Sequence, residues 1–220
     1  FRKDLYMKYD TIIFDLDGTL LNTLEDLKDS LNYALTKHGY EPRTLEEVRR
    51  FVGNGVGKLV KRSIPIHSSQ EELENCLATF KDHYNKNMQN KTRPYDGIME
   101  LLLDLNRFDF KLAIVSNKFD AAVKELAKDY FGTIFDVAVG ESPTVKRKPA
   151  PDSILAAIKE LGSDINKTIF VGDSEVDVQT AKNAGLPFIG VTWGFRTREL
   201  LRKEGADYLI DTPKELLCII

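Results

Sequence analysis

The sequence predicts an α/β fold, a doubly wound parallel sheet with an inserted α-helical cap domain. Three observations carry this. After Pro94, short apolar β-rich runs alternate with helical patterns, which implies parallel strands joined by crossover helices. One further strand, Thr11 to Asp15 (TIIFD), stands alone near the start. Between the two lies a helical block with no convincing strand. The expected division is a core of residues 1–21 and 91–220 and a cap of residues 22–90.

Thr11 to Asp15 is a short apolar run, the pattern of a buried strand. A helix is expected from about Leu24, with apolar residues at Leu24, Leu27, Leu31, Ala34 and Leu35, closed by Gly39 as a C-cap. A short helix around Leu45 to Phe51 follows, then a glycine-rich break from Gly53 to Gly57, a helix through Leu59 and Val60, and a long polar helix over Ser69 to Met88. Beyond Pro94 come helix Ile98 to Phe108, strand Lys111 to Val115, helix Ala121 to Tyr130 and strand Asp136 to Val139. Helix Ser153 to Leu161, strand Thr168 to Val171 and helix Val176 to Ala184 continue the alternation. Short strands near Phe188 to Val191 and Tyr208 to Ile210 complete it. The stripe Leu101, Leu102, Leu105 and Phe108 is read as core.

Composition narrows the function classes. Of 220 residues, 42% are hydrophobic and 30% charged, a balance that suits a globular protein and argues against disorder. The formal charge of −3 provides no electrostatic footprint for nucleic acid or for an anionic membrane. No apolar run approaches the ~20 residues that span a bilayer, and the opening FRKDLYMKYD lacks the apolar core of a signal peptide. Met7 is a candidate natural start, with Phe1 to Tyr6 as an upstream extension. Cys76 and Cys218 have no partner at metal-ligand spacing, which argues against zinc and for free thiols in a reducing compartment, the cytoplasm by default. Oligomeric state is not legible.

In such sheets ligands bind outside the carboxyl ends of the strands. Four strand ends carry chemistry here: Asp15-Leu16-Asp17-Gly18-Thr19, Ser116-Asn117, Lys146-Arg147-Lys148 before Pro149, and Gly172-Asp173-Ser174-Glu175-Val176-Asp177. Asp15 and Asp17 leave an extended backbone on the same side. Asp173 and Asp177, four apart at a helix start, share a face. Converging carboxylates repel one another unless a hard cation sits among them, and an oxygen-only donor set favours magnesium. Such an ion also neutralises part of a phosphate dianion. One carboxylate can then attack phosphorus while a second transfers protons, a lysine and a hydroxyl hold the phosphoryl oxygens, and Gly18 admits the backbone close to the phosphate.

Each motif alone has an ordinary reading. A lone DxD is commonly a solvated loop pair, GDSxxD an N-cap with an acidic first turn, Ser-Asn a turn, and KRK a solvated basic patch. Their occurrence in this order, each after a different strand of one sheet, points to a common site. GNGVGK (Gly53 to Lys58) is not a phosphate-binding P-loop: its glycine spacing is wrong, Leu59 replaces the Ser or Thr, and no strand precedes it. It is read either as a helix–helix turn or as a cap loop from which Asn54 or Lys58 would touch the substrate's leaving group. Arg196 and Arg198, after Trp193, are expected either to face the cap or to be solvated, the latter slightly favoured, and His38, His67 and His83 to lie on the surface of cap helices.

FDLDGTL (Phe14 to Leu20), SN (Ser116, Asn117), KPAPD (Lys148 to Asp152) and GDSEVD (Gly172 to Asp177) resemble the four motifs of the haloacid dehalogenase-like hydrolase superfamily, from Met7 onward. FVGNGVGKLV (Phe51 to Val60), the block Tyr95 to Leu105 and the VTWGF run resemble its phosphoglycolate phosphatase branch more weakly. The resemblance implies a Rossmann-like hydrolase core with a helical cap. It makes Asp15 the nucleophile, Asp17 the general acid and base, and Ser116 and Lys148 the phosphoryl-binding residues, with Asn117 placing backbone donors for the phosphate nearby. It also implies that magnesium is held by Asp15, the Asp17 backbone carbonyl and Asp173, with Asp177 supporting it directly or through water. An acid at position 17 separates the chain from dehalogenases, which have none there, and from transport ATPases, which have Thr. Asn22-Thr23 departs from the usual Asp-Ser, which removes any cap-closure role tied to that aspartate. The expected activity is a magnesium-dependent phosphatase acting on a small phosphorylated metabolite, 2-phosphoglycolate above all. The alternatives are a phosphomutase or pyrophosphatase on the same scaffold, or a non-catalytic phosphate-binding regulatory protein.

Overall fold

The computed structural model describes residues 8–220, so the expectation about Met7 falls outside the described residues. The chain divides into two compact units, one holding the described residues through Leu20 with Tyr95–Ile220, the other Leu21–Pro94.

In the first unit, β1 (Thr11–Phe14) is buried at every position, as an unbroken apolar run requires of a central strand. It pairs in parallel with β4 (Lys111–Phe119) on one side and β6 (Thr168–Gly172) on the other. With β5 (Val137–Glu141), β7 (Phe188–Val191) and β8 (Tyr208–Ile210), the six strands run in the order β5-β4-β1-β6-β7-β8, all parallel. Between strands the chain passes through α5 (Ile98–Arg107), α6 (Asp120–Phe131), α7 (Asp152–Leu161), α8 (Glu175–Ala184) and α9 (Arg198–Glu204). Ile154 and Ala157 of α7 and Val178 and Ala181 of α8 pack with Ile13, Val115 and Phe170 in one buried cluster. From β1 the chain winds outward through β4 and β5, then returns to β6 on the opposite side. The carboxyl ends of β1, β4 and β6 therefore flank a topological switch point.

Two features of this unit differ from the expectation. β4 runs four residues beyond Val115, with a register shift between Val115 and Phe119 that a polar Ser-Asn-Lys sequence does not advertise. Helix α9 was not anticipated; Thr197 caps it, its side chain accepting from the Leu200 N–H.

The second unit holds α1 (Leu24–Lys37), α2 (Leu45–Phe51), α3 (Val56–Ser63) and α4 (Gln70–Asn87). Capping boxes start α2 (Thr44 with Glu47) and α4 (Ser69 with Glu72), satisfying main-chain donors that a helix start otherwise leaves without partners. A short antiparallel ribbon, β2 (Leu21–Asn22) with β3 (Arg93–Pro94), also escaped the sequence reading, because two residues per strand show no alternation. Beside it the buried Asp26 carboxylate accepts from the Lys91 and Thr92 main-chain N–H groups and from the Thr92 hydroxyl. Of the three histidines expected on the surface, His67 is exposed but His38 and His83 are half-buried. The His83 ring stacks on Tyr33 with centroids 4.1 Å apart, and its Nδ1 lies 3.0 Å from Ser30 Oγ, so it packs between α1 and α4.

Candidate active site

β1 stops at Phe14, and the Asp15 N–H extends the ladder by one bond, donating to the Val171 carbonyl at 2.9 Å. This presents the Asp15 side chain at the carboxyl rim, beside the end of β6. There Ser174 caps α8 and its hydroxyl donates to Asp177 Oδ2 at 2.7 Å, while the Ser174 N–H reaches the same oxygen at 3.1 Å. The ordinary N-cap reading of GDSEVD holds, and the cap is what orients Asp177. The other oxygen, Oδ1, accepts from Lys148 Nζ at 2.6 Å, and the same ammonium lies 2.8 Å from Asp15 Oδ1. Of the KRK run only Lys148 is buried; Lys146 and Arg147 are exposed, and Arg147 pairs with Glu141.

Asp173 completes the cluster. Its Oδ1 accepts from the Thr19 hydroxyl at 3.2 Å and its Oδ2 from the Phe195 N–H at 2.7 Å. Asp15, Asp173 and Asp177 each offer an oxygen within 4.8 Å of the others, and all three are buried. Burial, reinforced by the charge of Asp177, pushes Asp15 well above the ordinary carboxylate range despite the opposing pull of Lys148. Burial and then Asp177 likewise push Asp173 up to about 7. Burial alone would lower Lys148, but Asp15 and Asp177 outweigh it and hold the ammonium protonated. One buried cation among three buried carboxylates leaves the cluster short of positive charge. Oxygen donors with that deficit fit a hard divalent ion such as magnesium.

Asp17 does not join this triad through its side chain. Its Oδ1 lies 3.1 Å from Lys118 Nζ, and its Oδ2 lies 3.5 Å from Ser116 Oγ. The Asp17 carboxylate is thus not among the carboxylates that could share an ion with Asp15, Asp173 and Asp177. Asn117 uses its side-chain amide on the main chain of Lys148: Oδ1 accepts from the Lys148 N–H at 2.7 Å and Nδ2 donates to the Lys148 carbonyl at 3.0 Å. The Asn117 side-chain amide thus anchors the lysine loop. Gly18 has φ +88°, and what approaches it is Asp173: a Cβ there would collide with the Asp173 carboxylate. The glycine is required by the close packing of the two acidic loops.

Asn54 and Lys58 lie in the helical unit. Asn54 Oδ1 accepts from Arg62 Nη2 at 2.7 Å, and Lys58 is exposed in the first turn of α3. The expectation that Arg196 is solvated is corrected. Its side chain is 9% exposed and grips Glu175 with Nε at 2.7 Å and Nη2 at 3.2 Å, tying the 192–197 loop to the start of α8. Arg198 is half-buried and pairs with Asp211 at 3.2 Å. Thr19, Phe195 and Lys118 were not singled out from sequence. Thr19 lies inside the FDLDGTL motif and Lys118 directly follows Ser116-Asn117, so proximity was an available signal; Phe195 ends the VTWGF run but acts through a main-chain N–H, which no side-chain pattern reveals. Trp193 Nε1 donates to the Thr19 carbonyl at 3.0 Å and joins the same two loops.

A family model described as haloacid dehalogenase-like hydrolase matches residues 12–191. The chain belongs to that family. It is 35% identical over 196 residues to a phosphoglycolate phosphatase of Mesorhizobium japonicum, covering 86% of this chain and 85% of the relative. A provisionally named pyrophosphatase of Caldanaerobacter subterraneus is 34% identical over 97% of this chain and 96% of its own. Among solved structures, a provisionally named phosphoglycolate phosphatase of Lactobacillus delbrueckii subsp. bulgaricus superposes with a TM-score of 0.92 at 39% identity, covering 96% of this chain and 97% of that one. Within the haloacid dehalogenase-like hydrolases the chain falls in the phosphoglycolate phosphatase branch, and it is a phosphatase. Among the described residues no helix is long and apolar enough to cross a membrane.

Proposed function

We propose that the chain is a magnesium-dependent phosphatase that hydrolyses a small-metabolite phosphate monoester through an aspartyl-phosphate on Asp15, with 2-phosphoglycolate as the leading substrate. One observation carries the reading. Asp15 sits in a buried carboxylate cluster with the Lys148 ammonium 2.8 Å from its Oδ1, while the Asp17 carboxylate is held outside that cluster. The nucleophile and the proton-transfer group are thereby kept apart.

Asp15, Asp173 and the Asp17 main-chain carbonyl would hold the ion, with Asp177 in support. Bound there, magnesium supplies charge neutralisation for the phosphate dianion. In the first step an Asp15 oxygen forms a bond to phosphorus as the ester P–O bond breaks, and Asp17 gives its proton to the departing alkoxide. In the second, Asp17 takes a proton from water as its oxygen attacks phosphorus, releasing phosphate and restoring the Asp15 carboxylate. Lys148 and Ser116 are assigned to the phosphoryl oxygens, whose charge they stabilise in both transition states. Asn117 is assigned to holding Lys148 in place. The two cysteines, free and with Cys76 buried, support a reducing compartment, for which we propose the cytoplasm.

The test is phosphate release from 2-phosphoglycolate with and without magnesium. Asp15→Asn is expected to abolish turnover, since an amide is a poor nucleophile for phosphorus, and Asp17→Asn to trap the phosphorylated protein when the leaving group departs unassisted. Near-wild-type rates from Asp15→Asn would remove the covalent step. The Caldanaerobacter relative favours a second reading, pyrophosphate hydrolysis. Comparing kcat/KM on pyrophosphate and on 2-phosphoglycolate decides between the two.

A further inference from the structure

Lys118 belongs to none of the roles assigned above, yet its side chain is 3% exposed and its ammonium lies 3.1 Å from Asp17 Oδ1. A buried ammonium is costly unless the protein compensates it, so the position of this charge is set by structure rather than by solvent. The local chain explains how it gets there. The register of β4 shifts between Val115 and Phe119, and within that stretch Ser116 and Lys118 both reach Asp17 while Asn117, between them, reaches the Lys148 main chain. The Lys118 N–H also donates to Ser116 Oγ at 3.2 Å, fixing the hydroxyl and the lysine to the same piece of backbone.

We infer that Lys118 is a positioning residue for Asp17, holding its carboxylate away from the Asp15–Asp173–Asp177 cluster and directed for proton transfer. This rests on the aspartyl-phosphate reading above. An unanchored Asp17 carboxylate, two residues from Asp15, is repelled by the cluster when no cation is present and attracted to the cation when one is. Either displacement takes it from the reacting oxygen. Contact between Lys118 and Oδ1, with Ser116 facing Oδ2, opposes both.

The experiment uses p-nitrophenyl phosphate, whose leaving group departs without a proton, so that only dephosphorylation of Asp15 needs Asp17. Lys118→Met is expected to show a burst of about one equivalent of p-nitrophenolate. A steady state about 10- to 100-fold below wild type should follow, the range for a misplaced acid–base group. KM should be unchanged or lower. In an Asp17→Asn background, Lys118→Met should bring no further fall, because it acts through Asp17. Should Lys118→Met not fold, Lys118→Gln, which keeps a polar donor without the charge, runs through the same readouts. Three results would overturn the inference: steady-state turnover of the Lys118 variant equal to wild type, a raised KM with kcat intact, or losses that multiply with those of Asp17→Asn. Failure of the underlying reading looks different, since the Asp17→Asn protein would then accumulate no phosphorylated Asp15 whatever residue stands at 118.

Discussion

Replacing Asp173 by Asn should stabilise the metal-free protein while destroying its activity. The Asp173 carboxyl is held at about 7 instead of its ordinary 3.8, by burial first and the charge of Asp177 second. Forcing it to ionise in the folded state therefore carries a penalty of about 4 kcal/mol. The folded protein keeps a proton on Asp173 between these two values while the unfolded chain has released it. Stability from this group thus falls as pH rises through that window and stays at its lower level above about 7. The amide is nearly isosteric and its oxygen can still accept from the Phe195 N–H, so the substitution removes the charge and keeps that bond. Urea unfolding in the presence of a chelator should find Asp173→Asn more stable than wild type by up to about 4 kcal/mol near pH 8 and by about 2 kcal/mol or less near pH 5. Magnesium should then stabilise wild type at the higher pH and leave the variant unmoved. A variant less stable than wild type near pH 8, or a difference that does not grow with pH, would refute the reasoning that burial and repulsion dominate at this carboxylate.

Gly18→Ala forces a side chain into a backbone at φ +88° and against the Asp173 carboxylate, so it should cost about 1–3 kcal/mol and weaken magnesium binding. Unfolding and metal titration would show both, and unaltered metal affinity would mean that the two acidic loops do not need their close approach. Asp26→Ala removes the acceptor for the Lys91 and Thr92 main-chain donors and should destabilise the protein by about 3 kcal/mol. Asp26→Asn, which keeps one acceptor oxygen, should cost less in the same urea titration.

Legibility varied with the range of the interaction. TIIF, TIFV and FIGV read as strands because a central strand in a parallel sheet is buried on both faces, and the structure forms β1, β6 and β7 there. Starts of α2 and α4 were approachable because their capping boxes are local, three residues from cap to partner. The extension of β4 was not, since Ser116, Asn117 and Lys118 are polar and gain their buried setting from Asp17 and Lys148, far away along the chain. Arg196 was misread for the same reason. An arginine near the end of a loop is ordinarily solvated, and only folding brings Glu175 against it.

What the sequence alone determined is the inventory and its order: a buried first strand, acidic residues at two strand ends, a lysine and a serine at two others, and a helical insertion after the first. These follow from spacing and hydrophobic pattern, which are properties of the chain read in one dimension. The tertiary structure decided which groups meet. It set Lys148 between Asp15 and Asp177, turned the Asn117 amide onto the lysine loop, brought Gly18 against Asp173, and placed a second buried lysine beside Asp17. The physical reason is that burial and charge compensation are joint properties of residues distant in sequence. No single segment carries the information that its charge will be removed from water, or which partner will neutralise it.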